Sequence, residues 1–205
     1  MPRQKRVAAI HDISCFGRCS LTVALPIISA AGIETAVIPT AVLSTHTGGI
    51  SGYTFRDLTE DIIPIAEHWK SLNLEFDGFY TGFLGSFEQI DIVTEVCEKL
   101  RGNKTLLIVD PVMADNGVLY KIFPPNFPEG MRKLCSKANV IIPNITEAVF
   151  LLGEDYKEGP YTRDYIENLL RRLSALGPKQ VVLTGVYFDS GSLGAASYDA
   201  ETGEI

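Results

Sequence analysis

The stretch Thr105-Leu106-Leu107-Ile108-Val109-Asp110-Pro111 decides the fold. Its four-residue apolar run has no polar position to turn toward water, which suits a strand covered on both faces of a parallel sheet. The carboxylate that follows at once stands at the carboxyl edge, where open α/β sheets bind their ligands. Working outward, residues 6–10, 35–42, 78–81, 139–142 and 180–183 predict further strands of the same kind, with 105–109 among them. Longer amphipathic segments separate them, the pattern of strands joined by crossover helices. The expected fold is α/β, a doubly wound, mostly parallel sheet with helices on both faces. No internal repeat, linker or low-complexity stretch divides the sequence, which predicts one domain over residues 1–205.

Helix ends are legible too. Ser86-Phe87-Glu88-Gln89 has the capping-box pattern ahead of Ile90, Val93, Val96, Cys97 and Leu100, which share one helical face. Asp61 is placed to cap a helix with Pro64 in its first turn, burying Ile65, Trp69 and Leu72. Thr162 opens another, carrying Ile166, Leu169, Leu170 and Leu173, and Gly177-Pro178 stops it. Residues 193–198 read as an antiparallel strand and Asp199-Ala200-Glu201-Thr202-Gly203 as a turn, with only Glu204 and Ile205 after it. A hairpin needs a returning strand. The chain is therefore expected to be a fragment of a longer protein, cut at the start of an element.

Composition narrows the class of function. Eighteen Lys and Arg against 25 Asp and Glu leave a net charge of −7, which argues against a nucleic-acid partner. With 46% apolar and 21% charged residues the chain has the makings of an ordinary globular core. Thr22, Pro26, Ser29 and Gly32 interrupt the longest apolar candidate, 21–33, so no membrane span is expected. The basic start Arg3-Gln4-Lys5-Arg6 runs straight into the first strand, too short for a signal peptide. Cys15, Cys19, Cys97 and Cys135 show no zinc spacing and are expected to be free thiols, which points to the cytoplasm.

The residues after each predicted strand hold the chemistry. His11-Asp12-Ile13-Ser14-Cys15-Phe16-Gly17 is a polar turn with neither the dinucleotide glycine fingerprint nor the phosphate-loop motif. Ser44-Thr45-His46-Thr47-Gly48-Gly49 is dense in hydroxyls and backbone amides, and Phe83 can supply an aromatic wall. Asp110, with Asp115 close behind, can hold hydrated magnesium beside phosphate oxygens. Asn144-Ile145-Thr146-Glu147 reads first as a capping box, and a helix N-terminus also favours an anion.

Together these stretches resemble the pyridoxal/pyridoxamine (vitamin B6) kinases of the ribokinase-like superfamily, from about Val7 onward. Thr45-His46-Thr47-Gly48, Tyr80-Thr81-Gly82-Phe83, Asp110-Pro111-Val112-Met113, Pro143-Asn144-Ile145-Thr146-Glu147 and Val181-Val182-Leu183-Thr184-Gly185 carry the likeness. The resemblance implies an ATP- and magnesium-dependent kinase acting on the 5′-hydroxymethyl group of a B6 vitamer, and a homodimer. It implies substrate contacts at Asp12, His46, Thr47 and Phe83. It assigns Asp110, Asp115, Tyr120, Asn144, Glu147 and Thr184 to ATP, with Asp110 and Glu147 organising the metal. Asp12 stands where relatives commonly have serine and Cys15 where glycine is usual, so pyridoxal, pyridoxamine and a hydroxymethylpyrimidine all stay open as substrates. The family's catalytic base belongs to a Gly-Thr-Gly-Asp motif, which the resemblance places beyond Ile205. The alternatives are a hydroxymethylpyrimidine kinase and a non-catalytic vitamin B6-binding protein.

Overall fold

In the computed structural model, which describes residues 3–48 and 50–205, the alternation of apolar runs and amphipathic segments becomes a mostly parallel α/β fold. It divides into two compact units, Met1–Leu107 and Ile108–Ile205.

The first unit contains β1 (Arg6–Ser14), α1 (Leu21–Ala30), β2 (Glu34–Leu43), β3 (Phe55–Asp57), α2 (Thr59–Ser71), β4 (Gly78–Thr81) and α3 (Phe87–Leu100). Its strands lie in the order β4-β1-β2-β3, with β1 parallel to both β4 and β2 and β3 antiparallel at the edge. Ala8, Ala9, Ile10, Ile38 and Phe79 are fully buried, as expected of strands covered on both faces. Helix α3 buries Ile90, Val93, Val96 and Cys97, the face its spacing predicts, and the Ser86 side chain accepts from Gln89 N–H. Helix α2 corrects two expectations. It starts at Thr59, whose N–H donates to Asp57 Oδ1 at 2.7 Å, two residues ahead of the predicted cap Asp61. Its buried stripe is Ile62 and Ala66, where the small alanine allows close packing; Ile65 and Trp69 lie half-buried on the flank. Leu72, past the helix end, is 55% exposed.

The division falls within β5 (Leu106–Val109), and the second unit goes on with β6 (Ala114–Asp115), β7 (Val118–Leu119), α4 (Phe127–Lys137), β8 (Val140–Ile141), α5 (Ile145–Leu152), α6 (Arg163–Ser174), β9 (Gln180–Val186) and β10 (Gly194–Asp199). Its sheet order is β10-β9-β8-β5, parallel except for β10. The strands β6 and β7 form a separate ribbon turned by Asn116 and Gly117, at φ 49° and 75°. Two successive left-handed residues give the tight hairpin that Asn-Gly favours. Strand β3, this ribbon and α4 are elements the sequence reading did not predict. Thr162 caps α6 by accepting from Tyr165 N–H, as predicted.

All four cysteines are free thiols, Cys97 and Cys135 buried and Cys15 exposed. Among the described residues no helix is long and apolar enough to cross a membrane.

Candidate functional site

In the first unit, β1 runs four residues further than its apolar run suggests, so His11 and Asp12 lie inside the strand rather than in the turn after it. Register with β2 slips between His11, opposite Pro39, and Ile13, opposite Val42, leaving an extra residue in β2. Such a bulge re-aims side chains beside a site. His11, Asp12 and Ser14 are 3%, 4% and 2% exposed, and Ser14 Oγ donates to Asp12 Oδ2 at 3.0 Å. Asp12 Oδ1, His11 Nε2 and Thr81 Oγ1 are buried without a hydrogen-bond partner. Buried polar atoms are normally satisfied, so the orphans at these neighbouring strand ends, Asp12 and Thr81 on one face of the sheet and His11 on the other, mark places for ligand or water. Burial lowers the His11 pKa to about 4, which keeps the imidazole neutral and one ring nitrogen an acceptor. Gly82 is required beside it, since a Cβ there would fall 2.2 Å from His11 Nδ1.

Two loops meet above these strand ends. Gly17, at φ +107°, lies under the His46 ring, where a Cβ would come within 2.4 Å of Cδ2, and His46 N–H donates to the Phe16 carbonyl at 3.1 Å. His46 thus clamps its loop to the Phe16-Gly17 turn. Thr47 on the same loop is exposed, Phe83 is half-buried, and Gly49 lies outside the described residues.

In the second unit the capping box at Asn144 is complete. Asn144 Oδ1 accepts from Glu147 N–H and Glu147 Oε2 accepts from Asn144 N–H, both at 2.9 Å. Its polar atoms also tie in the segment after β5. Glu147 Oε1 accepts from Met113 N–H at 3.2 Å, and Asn144 Nδ2 donates to the Ala114 carbonyl at 2.8 Å. Gly117 N–H donates to Thr146 Oγ1 at 2.9 Å, which holds the ribbon against the start of α5. Thr184 N–H donates to the Pro143 carbonyl at 2.9 Å and pairs with Asn144 in an isolated bridge. Asn144, Glu147 and Thr184 are therefore gathered around one helix N-terminus, with the segment that follows Asp110 tied to it.

The electrostatics of this edge are unbalanced. Burial first, then the Asp110 charge, raises the Glu147 pKa to about 8 against the lowering effect of backbone N–H groups. Tyr120 is pushed up to about 12 by burial and by the charges of Glu147, Asp115 and Asp110, which places all three carboxylates within range of its hydroxyl. Among the described residues no three His, Cys, Asp or Glu side chains gather as a metal cage. Magnesium does not need one: it typically takes one or two carboxylates and completes its shell with water and phosphate. A buried carboxylate raised by its burial and, second, by the charge of a neighbouring carboxylate fits a divalent cation. Thr81 and Ser14 join the first cluster without having been singled out beforehand. The available signal was the hydroxyl beside Gly82 and the period-2 spacing from Asp12.

The sequence profile of the phosphomethylpyrimidine kinase family matches residues 25–201. The chain belongs to this family. Its relatives include the pyridoxal kinase of Arabidopsis thaliana, 34% identical over 194 residues, covering 84% of this chain and 59% of that protein. A family member from Bacteroides thetaiotaomicron, provisionally described as a phosphomethylpyrimidine kinase and crystallised in a form with pyridoxal, is 41% identical. It covers 98% of this chain and 70% of its own, with a TM-score of 0.91. The pyridoxal kinase of Lactobacillus plantarum is 34% identical with a TM-score of 0.83, over 98% of this chain and 70% of its own. These likenesses establish the ribokinase-like α/β fold. The chain spans about half the length of the curated relatives it matches.

Proposed function

We propose that the chain belongs to an ATP-dependent kinase that phosphorylates the 5′-hydroxymethyl group of pyridoxal, pyridoxamine or pyridoxine, both units forming one kinase domain. The observation that carries the choice of substrate is the buried Asp12 carboxylate with one oxygen unpartnered, in a chain 41% identical to a protein crystallised with pyridoxal. A pyridine ring with ionisable nitrogen and polar substituents offers the donors such an oxygen lacks. In this reading Asp12, His46, Thr47 and Phe83 take the vitamer, Phe83 as an aromatic wall.

ATP is assigned to Asp110, Asp115, Tyr120, Asn144, Glu147 and Thr184. The first-turn amides of α5 and its dipole favour phosphate oxygens, and the ribbon carrying Asp115 lies against the same helix through Gly117 and Thr146. Asp110 and Glu147 hold magnesium, Glu147 kept in place by the Met113 and Asn144 amides. When bound, the ion neutralises charge on the transferred phosphoryl group. The base that takes the hydroxymethyl proton comes from a Gly-Thr-Gly-Asp motif, which the 205 residues do not contain. A homodimer in the cytoplasm completes the proposal.

Titration calorimetry with this chain and steady-state kinetics with the whole gene product test it. The expected results are saturable pyridoxal binding without turnover by the 205 residues, and pyridoxal phosphorylation by the longer product. A larger kcat/KM for hydroxymethylpyrimidine than for pyridoxal would overturn the substrate. Turnover by the 205 residues would overturn the location of the base, and ligand binding without turnover by the whole product would indicate a non-catalytic binder.

A further inference from the structure

Gln89 is completely buried, yet it belongs to none of the motifs that point to ligands. Its side chain joins four segments of the first unit. Nε2 lies 3.0 Å from the Thr40 carbonyl, 2.9 Å from Thr59 Oγ1 and 3.3 Å from Asp57 Oδ2, while Oε1 accepts from Gly85 N–H at 2.8 Å. Only an amide supplies donors and an acceptor in this arrangement; a carboxylate would lose the donors and add charge beside Asp57. Thr40, also fully buried, lies where the β1–β2 register slips, and its Oγ1 donates to the Phe83 carbonyl at 3.0 Å. A Cβ at Gly85 would lie 3.6 Å from Phe83 Cε1 and 3.7 Å from Gln89 Oε1, so the Phe83 ring rests against the backbone that Gln89 holds. The Phe83-Leu84-Gly85 segment is pinned at Phe83 by Thr40 and at Gly85 by Gln89.

We infer that Gln89, with Thr40, is a positioning residue that fixes the aromatic wall at Phe83 and thereby sets affinity for the aromatic ring of the substrate. This rests on the vitamer reading of the first unit. Side chains next to a ligand hold their geometry only when locked by such supporting hydrogen bonds, and truncating one partner leaves a buried group unsatisfied.

The test is a double-mutant cycle on pyridoxal affinity, with ADP affinity measured alongside. Gln89→Leu is expected to raise the pyridoxal Kd about tenfold and leave the ADP Kd within about twofold. In a Phe83→Ala background the same change is expected to add less than about twofold, because the wall it positions is gone. An equal loss in both backgrounds, or a parallel loss of ADP affinity, would overturn the inference in favour of a general structural role. Should Gln89→Leu fail to fold, Thr40→Val removes only the hydroxyl that holds the Phe83 carbonyl and is read by the same criteria. Absence of pyridoxal binding by the unmodified protein would remove the vitamer reading and this inference with it, whereas normal binding with an unresponsive Gln89→Leu removes the inference alone.

Discussion

At His11 a single buried imidazole gives the protein a pH signature. Its pKa falls from 6.5 to about 4 on folding, because burial disfavours the cation. Its contribution to stability is therefore complete above pH 6.5 and is lost as pH falls toward 4, where the folded state has to accept a proton it cannot solvate. A shift of this size corresponds to about 3 kcal/mol at full development. We predict that the melting temperature of the ligand-free protein falls between pH 6.5 and 4, and that His11→Gln flattens that limb; an unchanged slope in the variant would refute the assignment. Sequence reading reached His11 and Asp12 but misplaced them. Polar residues after an apolar run look like a turn, whereas here the polar strand end stays buried. Gln89 shows the same limit: its spacing from Ser86 identifies half of a capping box, but the partners it finds at Thr40, Asp57 and Thr59 are far away in sequence.

Helix α5 begins with a cap built from the residues that are also proposed to meet ATP. Asn144 caps the helix, holds the Ala114 carbonyl and pairs with Thr184, so one residue carries the cap and stands in the proposed ATP site. Asn144→Ala removes the cap and leaves the Ala114 carbonyl without that donor. We predict a loss of about 1–2 kcal/mol in chemical denaturation together with weaker ADP binding. Stability loss with unchanged ADP affinity would leave α5 a purely structural cap. Capping signals are local, which is why α3, α5 and α6 were legible. Helix α4 was missed although Met131, Leu134 and Cys135 share a buried face, because Pro124, Pro125, Pro128 and Gly130 read as loop chemistry. In β3 all three residues are exposed, and nothing in Phe55-Arg56-Asp57 announces a strand that only its pairing with Ala41, Val42 and Leu43 creates.

For the whole molecule, the sheet-edge logic that began with Val109-Asp110 predicts coupled ligand effects. A ligand that binds only the folded state raises the melting temperature, by an amount that grows with the logarithm of its concentration over Kd. Magnesium and ADP together are expected to raise it by more than the sum of their separate effects, because in the proposed site the Asp110–Glu147 pair and the phosphates would share the ion's shell. Glu147→Gln is expected to shrink the magnesium increment, measured by calorimetry at fixed ADP; an increment of full size would take Glu147 out of the metal site. The fold class was legible from alternating apolar and amphipathic runs. The acidic pair was legible from its motifs, but the burial that raises the Glu147 pKa beside Asp110 depends on packing that the motifs do not show. The four thiols divide the molecule in another way. Cys97 is buried with its pKa near 12, and Cys135 is fully buried and raised further by the charges of Glu147 and Asp110, so neither forms the thiolate that alkylating reagents need. Exposed Cys15 immediately precedes the Phe16-Gly17 turn on which His46 is clamped. The protein thus carries a natural attachment point for a maleimide dye beside its proposed vitamer loops, a fluorescent reporter of ligand arrival that requires no turnover.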